Sequence, residues 1–398
     1  MNAQLAHEAA LRVARVAAEN AHAVDRDARF PAEAIDALRK ERLLSALVPA
    51  SFGGAGLTLT EVASVCEVIA QCCASTAIIY AMHLTQAACV ISHCGGRPWQ
   101  LAFVERMACE QLLLGSATSE ATTGGSLRAS TCAVQHNGQR FRIEKDAPII
   151  SYGAYADAIL ITARRADDAP PSDQVLIVAS RAQLALEPQG NWDALGMRGT
   201  CSLGFRLVAN GDDEQILIPP FSDIANRTMQ PVSHTLWAAV WTGIAADALR
   251  RANAYCRAQA RTLPDGMSRA RGRLVRATEQ LQMMKTRVST ALAAAQTVHV
   301  AEYNTCATEL PLTVQLGFMA DMNSLKTSIS SAALKVAHEA MMICGICGIC
   351  GYRNGGRYSI GRHLRDLYSA PLMINNDRID ENTASLLLAQ RPSLSIEA

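Results

Sequence analysis

Cys344, Cys347 and Cys350 stand two residues apart in "MICGICGICGY". Thiolates at this spacing can converge on one iron or zinc ion. A bacterial iron–sulfur run wants a fourth Cys about four residues on, and here that position is Asn354. No second C-x₂-C pair completes a four-thiolate zinc site. The run therefore lacks a full ligand set, and its glycines need another explanation.

The bulk of the chain narrows the choice. At 398 residues it is long enough for two or three subdomains. Its 37 Lys and Arg offset 36 Asp and Glu for a net charge of +1, with no basic face to hold nucleic acid or an anionic membrane. The N-terminal stretch "MNAQLAHEAALRVARVAAENAHAVDRDAR" is charged and amphipathic, unlike a secretory signal. Thirteen cysteines, an odd number set largely in apolar helical runs, read as reduced, buried thiols of a cytoplasmic protein. From Val68 to Gly96 there is no charged residue, yet Gln71, Ser75, Thr76, His83, Thr85, Gln86 and His93 recur through it. Polar groups at that frequency suit a buried helix pair better than a lipid-facing span.

The elements that would position any chemistry follow an α, β, α order. "FPAEAIDALRKERLL" places Pro31 where a first helical turn accepts it. "LTEVASVCEVIAQCCASTAIIYAMHLTQAACVISHCG" reads as two apolar helices with Ser75 or Thr76 as the cap between them. From about residue 113 short β-type runs take over, with Asn-Gly turns expected at Asn137-Gly138 and Asn210-Gly211. Their spacing predicts a compact antiparallel β domain. Helical periodicity returns after about residue 226. The expected domains are residues 1–112 (helical), 113–225 (β) and 226–398 (helical).

Several stretches in this order resemble the acyl-CoA dehydrogenase family of flavoproteins. "LVPASFGGAGLTLTEV" is similar to its V-P-x-x-Y/F-G-G-x-G signature through Val48, Pro49, Phe52, Gly53, Gly54 and Gly56. "GSATSEATTGGS" sits where the family has T-E-P-G-A-G-S, and Ile149–Ser151 where it has W-I-T/S. "WDALGMRGTCSLGFRL" resembles L-G-x-R-x-T/S, and "GICGICGYRNGGRYSIGRHLRD" resembles Q-x-x-G-G-x-G-Y with its R-x-x-R-D run. The resemblance implies an α+β fold with an all-α N-terminal domain, a central antiparallel β barrel-like domain and a C-terminal four-helix bundle. It also implies FAD as cofactor and a homo-oligomer, expected to be a tetramer with a dimer as the minimum. The cysteine run then falls at the glycine-bearing helix end that approaches the FAD diphosphate, where glycine admits close backbone contact; a helix C-cap explains the same glycines.

By the same resemblance Thr118, Ser119, Ile149 and Ser151 line the flavin ring, and Arg269, Gly348, Asn375 and Asn376 fall at further cofactor positions. The family's dehydrogenation removes an α-proton from an acyl thioester, on CoA or a carrier protein, and passes a β-hydride to flavin. Electrons then leave to an electron-transfer flavoprotein. Its carboxylate base stands in R-D-x₇-E-G-T-x-x-I, and laying "RDLYSAPLMINNDRI" on that pattern puts Ile374 at the base. The alternative base position falls at about Ser233. The remaining candidates for proton transfer are His83, His234 and Asp377, the imidazoles being suited to neutral pH. α,β-Desaturation of an acyl thioester is the first expectation. A flavin-dependent monooxygenase using reduced flavin and O₂ on a small substrate is the alternative, and it needs no carboxylate base.

One expectation is testable without any activity. Elemental analysis of the native protein should find neither zinc nor iron in stoichiometric amount, because the Cys344/Cys347/Cys350 run lacks its fourth ligand.

Overall fold

A computed structural model describes residues 1–123, 127–260, 268–304, 312–345 and 349–390. They form two compact units, Met1–Ser233 and His234–Ala398.

The first unit opens with helices α1 (Ala3–Arg26), α2 (Ala32–Lys40), α3 (Leu59–Ala70), α4 (Ala74–His93) and α5 (Pro98–Glu110). On α1 the buried positions Ala6, Ala10, Val13, Ala17, Ala21 and Val24 recur at three- and four-residue spacing, so one small-residue stripe packs inward. Asn2 caps its start by accepting from the Leu5 N–H at 2.9 Å. Thr58 and Glu61 cap α3 reciprocally in a capping box. Between them the Gly53-Gly54 pair has two separate reasons to be glycine. Gly53 adopts φ +80°, and a Cβ on Gly54 would lie 2.1 Å from the Val48 carbonyl oxygen.

Helix α4 is long and apolar enough to cross a membrane, but 89% of that stretch is buried inside the protein. Its cap is not the one expected. Cys73 occupies the N-cap position but its side chain makes no capping bond, while Ser75 lies within the helix and accepts from the Gly199 N–H at 3.2 Å. Ser75 is thus used to fasten a distant loop rather than to start its own helix.

Two sheets follow. The strands are β1 (Leu114–Ala117), β2 (Gln135–Asn137), β3 (Arg140–Ile150), β4 (Ala158–Arg164), β5 (Gln174–Ser180), β6 (Leu184–Gln189) and β7 (Leu203–Asp212). The order β2-β3-β7-β6 is wholly antiparallel. In the order β1-β4-β5, however, β1 runs parallel to β4. The chain leaves β1, builds the β2–β3 pair in the other sheet and returns by a crossover, which is what a parallel pair requires.

The Asn137-Gly138 turn is where it was expected, with Asn137 paired to Arg140 and Gly138 at φ +64°. The Asn210-Gly211 turn is absent: both residues pair within β7, opposite Arg142 and Phe141. A Cβ on Gly211 would lie 2.7 Å from the Phe141 ring, so this glycine is there for close packing and not for a turn. The strand ends later, at Asp212, which caps the short helical turn Asp213–Gln215 in another capping box. The antiparallel sheet is bounded by β2, only three residues long, and by β6, which carries Pro188.

The second unit contains most of α7 (Gln230–Gln259), which follows the short α6 (Phe221–Ile224), then α8 (Ser268–Asn304), α9 (Leu312–Gly345), α10 (Gly361–Leu367) and α11 (Asn376–Ala389). Helix α9 packs against α8, α10 and α11. Asp247 on α7 is fully buried and accepts from His363 Nε2 on α10 at 2.7 Å and from Arg251 Nε at 2.7 Å, so one carboxylate ties the two helices. None of the described cysteines is in a disulfide. Of the C-x₂-C-x₂-C run, Cys344 is buried and Cys350 half-buried, while Cys347 lies outside the described residues.

In the first unit, alternation along β3 buries Phe141, Ile143, Lys145 and Ala147 on one face. Lys145 Nζ donates to Glu120 Oε1 at 2.9 Å, to the Thr162 carbonyl at 2.6 Å and to Thr162 Oγ1 at 3.0 Å. Burial alone would raise the Glu120 carboxyl, but the Lys145 ammonium and the Ser130 and Thr131 hydroxyls outweigh it and hold its pKa at about 2. Removing one partner of such a pair strands the other charge. Lys145→Ala should therefore destabilise the fold by about 3–5 kcal/mol, whereas Lys145→Met with Glu120→Gln should recover much of that loss. Because the native carboxyl is depressed, its contribution is complete above its unfolded value of 4.5 and is lost as pH falls toward about 2. Denaturant midpoints of the three proteins from pH 7 to pH 3 measure both effects.

Candidate active site

Two clusters, one in each unit, contain the residues that sequence reasoning singled out. In the first unit Thr118 and Ser119 follow β1, and Ile149 and Ser151 sit at the end of β3. The structure brings these loops together: Ser119 Oγ donates to the Ile149 carbonyl at 3.2 Å. Beneath them Thr162 Oγ1, itself held by Lys145, reaches the Thr118 carbonyl at 3.5 Å. The buried Glu120–Lys145 pair thus fixes the loop from below, while Thr118, Ser119 and Ser151 remain half-buried and Ile149 stays 50% exposed.

Ser151 begins a row of hydroxyls. Its Oγ lies 2.9 Å from Ser202 Oγ, which lies 2.8 Å from Thr200 Oγ1, and Thr200 donates to the Met197 carbonyl at 2.8 Å. A carbonyl can only accept, so the proton directions run from Ser151 to Met197 and leave Ser151 a lone pair facing outward. The flanking residues Tyr152, Met197 and Cys201 all adopt left-handed φ, between 43° and 50°. Side chains rarely take that conformation, and its concentration around one hydroxyl row marks a tightly specified loop pair.

His83 does not face this ledge with a free nitrogen. It is wholly buried: its Nε2 donates to the Leu44 carbonyl at 2.6 Å, and its Nδ1 accepts the Leu114 N–H at 3.0 Å. Burial pushes its pKa down to about 4, keeping it neutral. With both nitrogens committed to backbone, His83 has no site left for proton exchange. It pins the start of β1 to the N-terminal helical region.

In the second unit His234 on α7 is also buried, with its pKa pushed down to about 4 by burial and by the nearby Lys326. Here the arrangement differs. His234 Nδ1 donates to the Met322 carbonyl at 3.2 Å, and Nε2 has no hydrogen-bond partner. This fixes a neutral tautomer with an unused basic lone pair. Ser233, at the register position of the alternative carboxylate, donates to the Gln230 carbonyl at 3.0 Å.

The segment before α11 is held by a residue that the sequence reading did not single out. Lys326 on α9, fully buried, donates to the Ile374 carbonyl at 2.6 Å and to Asn376 Oδ1 at 2.7 Å. Burial lowers its pKa to about 7. Ile374, where the motif resemblance led us to expect a carboxylate, adopts φ 51°, an outlier for a β-branched residue. Asn375 caps α11 by accepting from the Asp377 N–H at 2.7 Å, and Asn376 also donates to Ser330 Oγ at 3.1 Å. Of the two asparagines expected at the cofactor, Asn375 is engaged within this turn and Asn376 with Lys326 and Ser330 on α9. Asp377 is exposed on the first turn of α11, where a carboxylate balances the helix N-terminus.

Of Arg269 only the backbone, in the first turn of α8, is described, and Gly348 lies outside the described residues. Among the described residues no group of three or more His, Cys, Asp or Glu is placed to hold a metal. A cavity of about 380 Å³ in the second unit is lined by Arg276, Gln280, Lys335, His338, Glu339 and Tyr368 among others, and by none of the expected site residues. Sequence signals for the missed residues did exist. Lys145 falls on the inward phase of a period-2 strand, and Lys326 falls on the buried helix face of Met322, Ile329 and Ala333.

Residues 2–111 match the acyl-CoA dehydrogenase, N-terminal domain family. L-evernosamine nitrososynthase of Micromonospora sp. is 29% identical over 272 residues, covering 64% of this chain and 63% of the relative. Cyclohex-1-ene-1-carbonyl-CoA dehydrogenase of Geobacter metallireducens is 28% identical over 187 residues, covering 47% and 49%. The chain thus spans less than two thirds of the length of these curated relatives. The FMN-bound TdsC of Paenibacillus sp. A11-2, a dibenzothiophene monooxygenase, shares the fold with a TM-score of 0.83 at 19% identity, covering 99% of this chain and 100% of that one. Residues 2–111 therefore belong to the acyl-CoA dehydrogenase N-terminal domain family, and the chain as a whole shares the fold of TdsC and is similar to relatives of both dehydrogenase and oxygenase type.

Proposed function

We propose that this protein is a flavin-dependent monooxygenase acting on a small substrate with reduced flavin and O₂. The observation that carries this reading is the missing carboxylate: Ile374 and the hydrogen-bonded Ser233 stand where the motif resemblance expects a base. An α-proton of a thioester has no carboxylate to receive it there. His234 Nε2 is the uncommitted basic atom among the three candidates, since His83 is engaged at both nitrogens and Asp377 is exposed at a helix start.

The β-domain ledge fits a flavin in its chemistry. Half-buried hydroxyls at Thr118, Ser119 and Ser151 and an outward Ser151 lone pair suit a planar heterocycle edge that carries both N–H and C=O groups. When bound, the flavin supplies two-electron chemistry that side chains lack. Thr118, Ser119 and Ser151 would hold it and the left-handed loops would keep them in place. His234 would accept a proton at Nε2 while Nδ1 keeps its bond to Met322. Lys326 would keep the Ile374 turn fastened to α9. FAD is the form the motif resemblance implies, and FMN is the form bound to TdsC. A homo-oligomer, a tetramer by resemblance, accompanies this reading.

A second reading, thioester desaturation with electron transfer to a flavoprotein partner, is favoured by the similarity to cyclohex-1-ene-1-carbonyl-CoA dehydrogenase. It would require His234 to serve as the α-proton base. The two readings separate in one experiment. Protein reconstituted with flavin is mixed anaerobically with a panel of acyl-CoA thioesters, and then, pre-reduced, with O₂ and small aromatic or amine substrates. The oxygenase reading expects no bleaching by any thioester and substrate-dependent O₂ uptake with product formation. Bleaching by a thioester overturns it. In either case His234→Ala should slow turnover by about a hundredfold to ten-thousandfold with flavin still bound, as loss of a general base does. Asp377→Asn should leave the rate near wild type.

A further inference from the structure

The cavity of about 380 Å³ in the second unit opens between α8, α9 and α10 and takes no part in the chemistry proposed above. Lys335 on its wall comes nine residues after Lys326, about two and a half turns along α9. The cavity is therefore on the side of α9 away from the Ile374 turn that Lys326 holds. Its floor is apolar. Ala277 on α8 and Val336 on α9 are buried, and Leu334 and Leu364 are half-buried. Tyr368, 53% exposed just past α10, adds a ring at the rim. Ordinary ligand sites run from about 300 to 1,000 Å³, so this one suits a single ring more than an extended molecule.

The charges on its wall are unequal. Arg276 and Lys335 stand there with one carboxylate, Glu339. Glu339 is already held by a residue outside the lining: Arg273 Nη1 donates to its two oxygens at 3.1 and 3.0 Å. Arg276 Nη2 lies 3.6 Å from Glu339 Oε2, too far for a hydrogen bond. Among the described residues no ion pair engages Lys335. Gln280 and His338 add further polar groups that can donate. A guanidinium offers a flat fork matched to a carboxylate or phosphate, and an ammonium a point charge beside it. Two cations without a carboxylate hydrogen bond, set above a buried apolar floor, call for a ligand with an anionic group and a small ring.

We infer that this cavity is a binding site for compact, ring-bearing organic anions. Arg276 and Lys335 hold the carboxylate or phosphate, and the ring lies on Ala277, Val336 and Leu364. Neutral and cationic analogues of the same size bind more weakly. The site is separate from the residues assigned above to flavin and to proton transfer, and the inference does not rest on the oxygenase reading.

Full-length protein is titrated at pH 7.5 with benzoate, phenyl phosphate, benzyl alcohol, benzylamine, inorganic phosphate and ADP, with calorimetry and ligand-observed NMR as readouts. Benzoate and phenyl phosphate should bind about fivefold tighter than benzyl alcohol, the worth of one partly exposed charge pair. They should also bind tighter than inorganic phosphate, which has no ring to bury, and benzylamine should be weakest. Either order between benzoate and phenyl phosphate upholds the site and identifies its anionic group. Arg276→Gln and Lys335→Gln should each weaken both ring-bearing anions by about three- to fivefold while leaving benzyl alcohol unchanged. Lys285→Gln, which removes an exposed cation of α8 outside the lining, should leave every affinity unchanged. No binding of any probe, equal affinity for the two ring-bearing anions and benzyl alcohol, inorganic phosphate as tight as phenyl phosphate, or anion binding that neither cavity variant weakens overturns the inference. So does tighter binding of ADP than of phenyl phosphate, since an extended nucleotide would then fit better than a single ring.

Discussion

A lysine placed where alternation demands an apolar residue organises the β region. Lys145 cannot stay charged inside a sheet unless acceptors surround it, and Glu120 with both oxygens of Thr162 provides them. The same three bonds tie the loop after β1 to strands β3 and β4. Everything above that point depends on them: the half-buried hydroxyls of Thr118 and Ser119, the Ser119–Ile149 link, and the row that runs from Ser151 to Met197. A loop that presents polar groups outward is held rigid here by a charge pair facing inward.

The second unit uses the same device with different chemistry. Lys326 grips a carbonyl and an amide oxygen, neither of them charged, and so fixes the left-handed Ile374 without a carboxylate. That choice has a chemical effect. Where the motif resemblance expects an acid, this chain presents an aliphatic side chain on a turn held by an amine, while a basic lone pair without a partner stands at His234 on α7. Asp247 shows the opposite solution a few turns along the same helix, with one buried carboxylate satisfied by an imidazole and guanidinium groups.

Period and glycine signatures carried the element order, the Asn137-Gly138 hairpin and the family motifs. They failed where a residue type has more than one physical use. Gly211 looked like a turn and serves as a gap for the Phe141 ring. Ser75 looked like a cap and anchors Gly199. The parallel β1–β4 pair could not be read from local spacing, because its partners are separated by strands belonging to the other sheet. The site was harder still. A histidine in an apolar helix is equally consistent with a base and a brace. Only the partners of each nitrogen separate His83, with two backbone bonds, from His234, with one. The lysines at 145 and 326 were legible as charges on buried phases, but a phase says nothing about which acceptors lie across the core.

The margins of the antiparallel sheet bear on how this protein meets its neighbours. One edge is a strand of three residues, and the other includes a proline that has no N–H to give. A further strand trying to dock on either side would find too short a ladder or a missing donor. Both edge strands are therefore poor templates for growth by backbone pairing, which disfavours stacking edge to edge. Contacts with other molecules are left to side chains, whose fit can be selective, instead of to a backbone ladder that accepts almost any sequence.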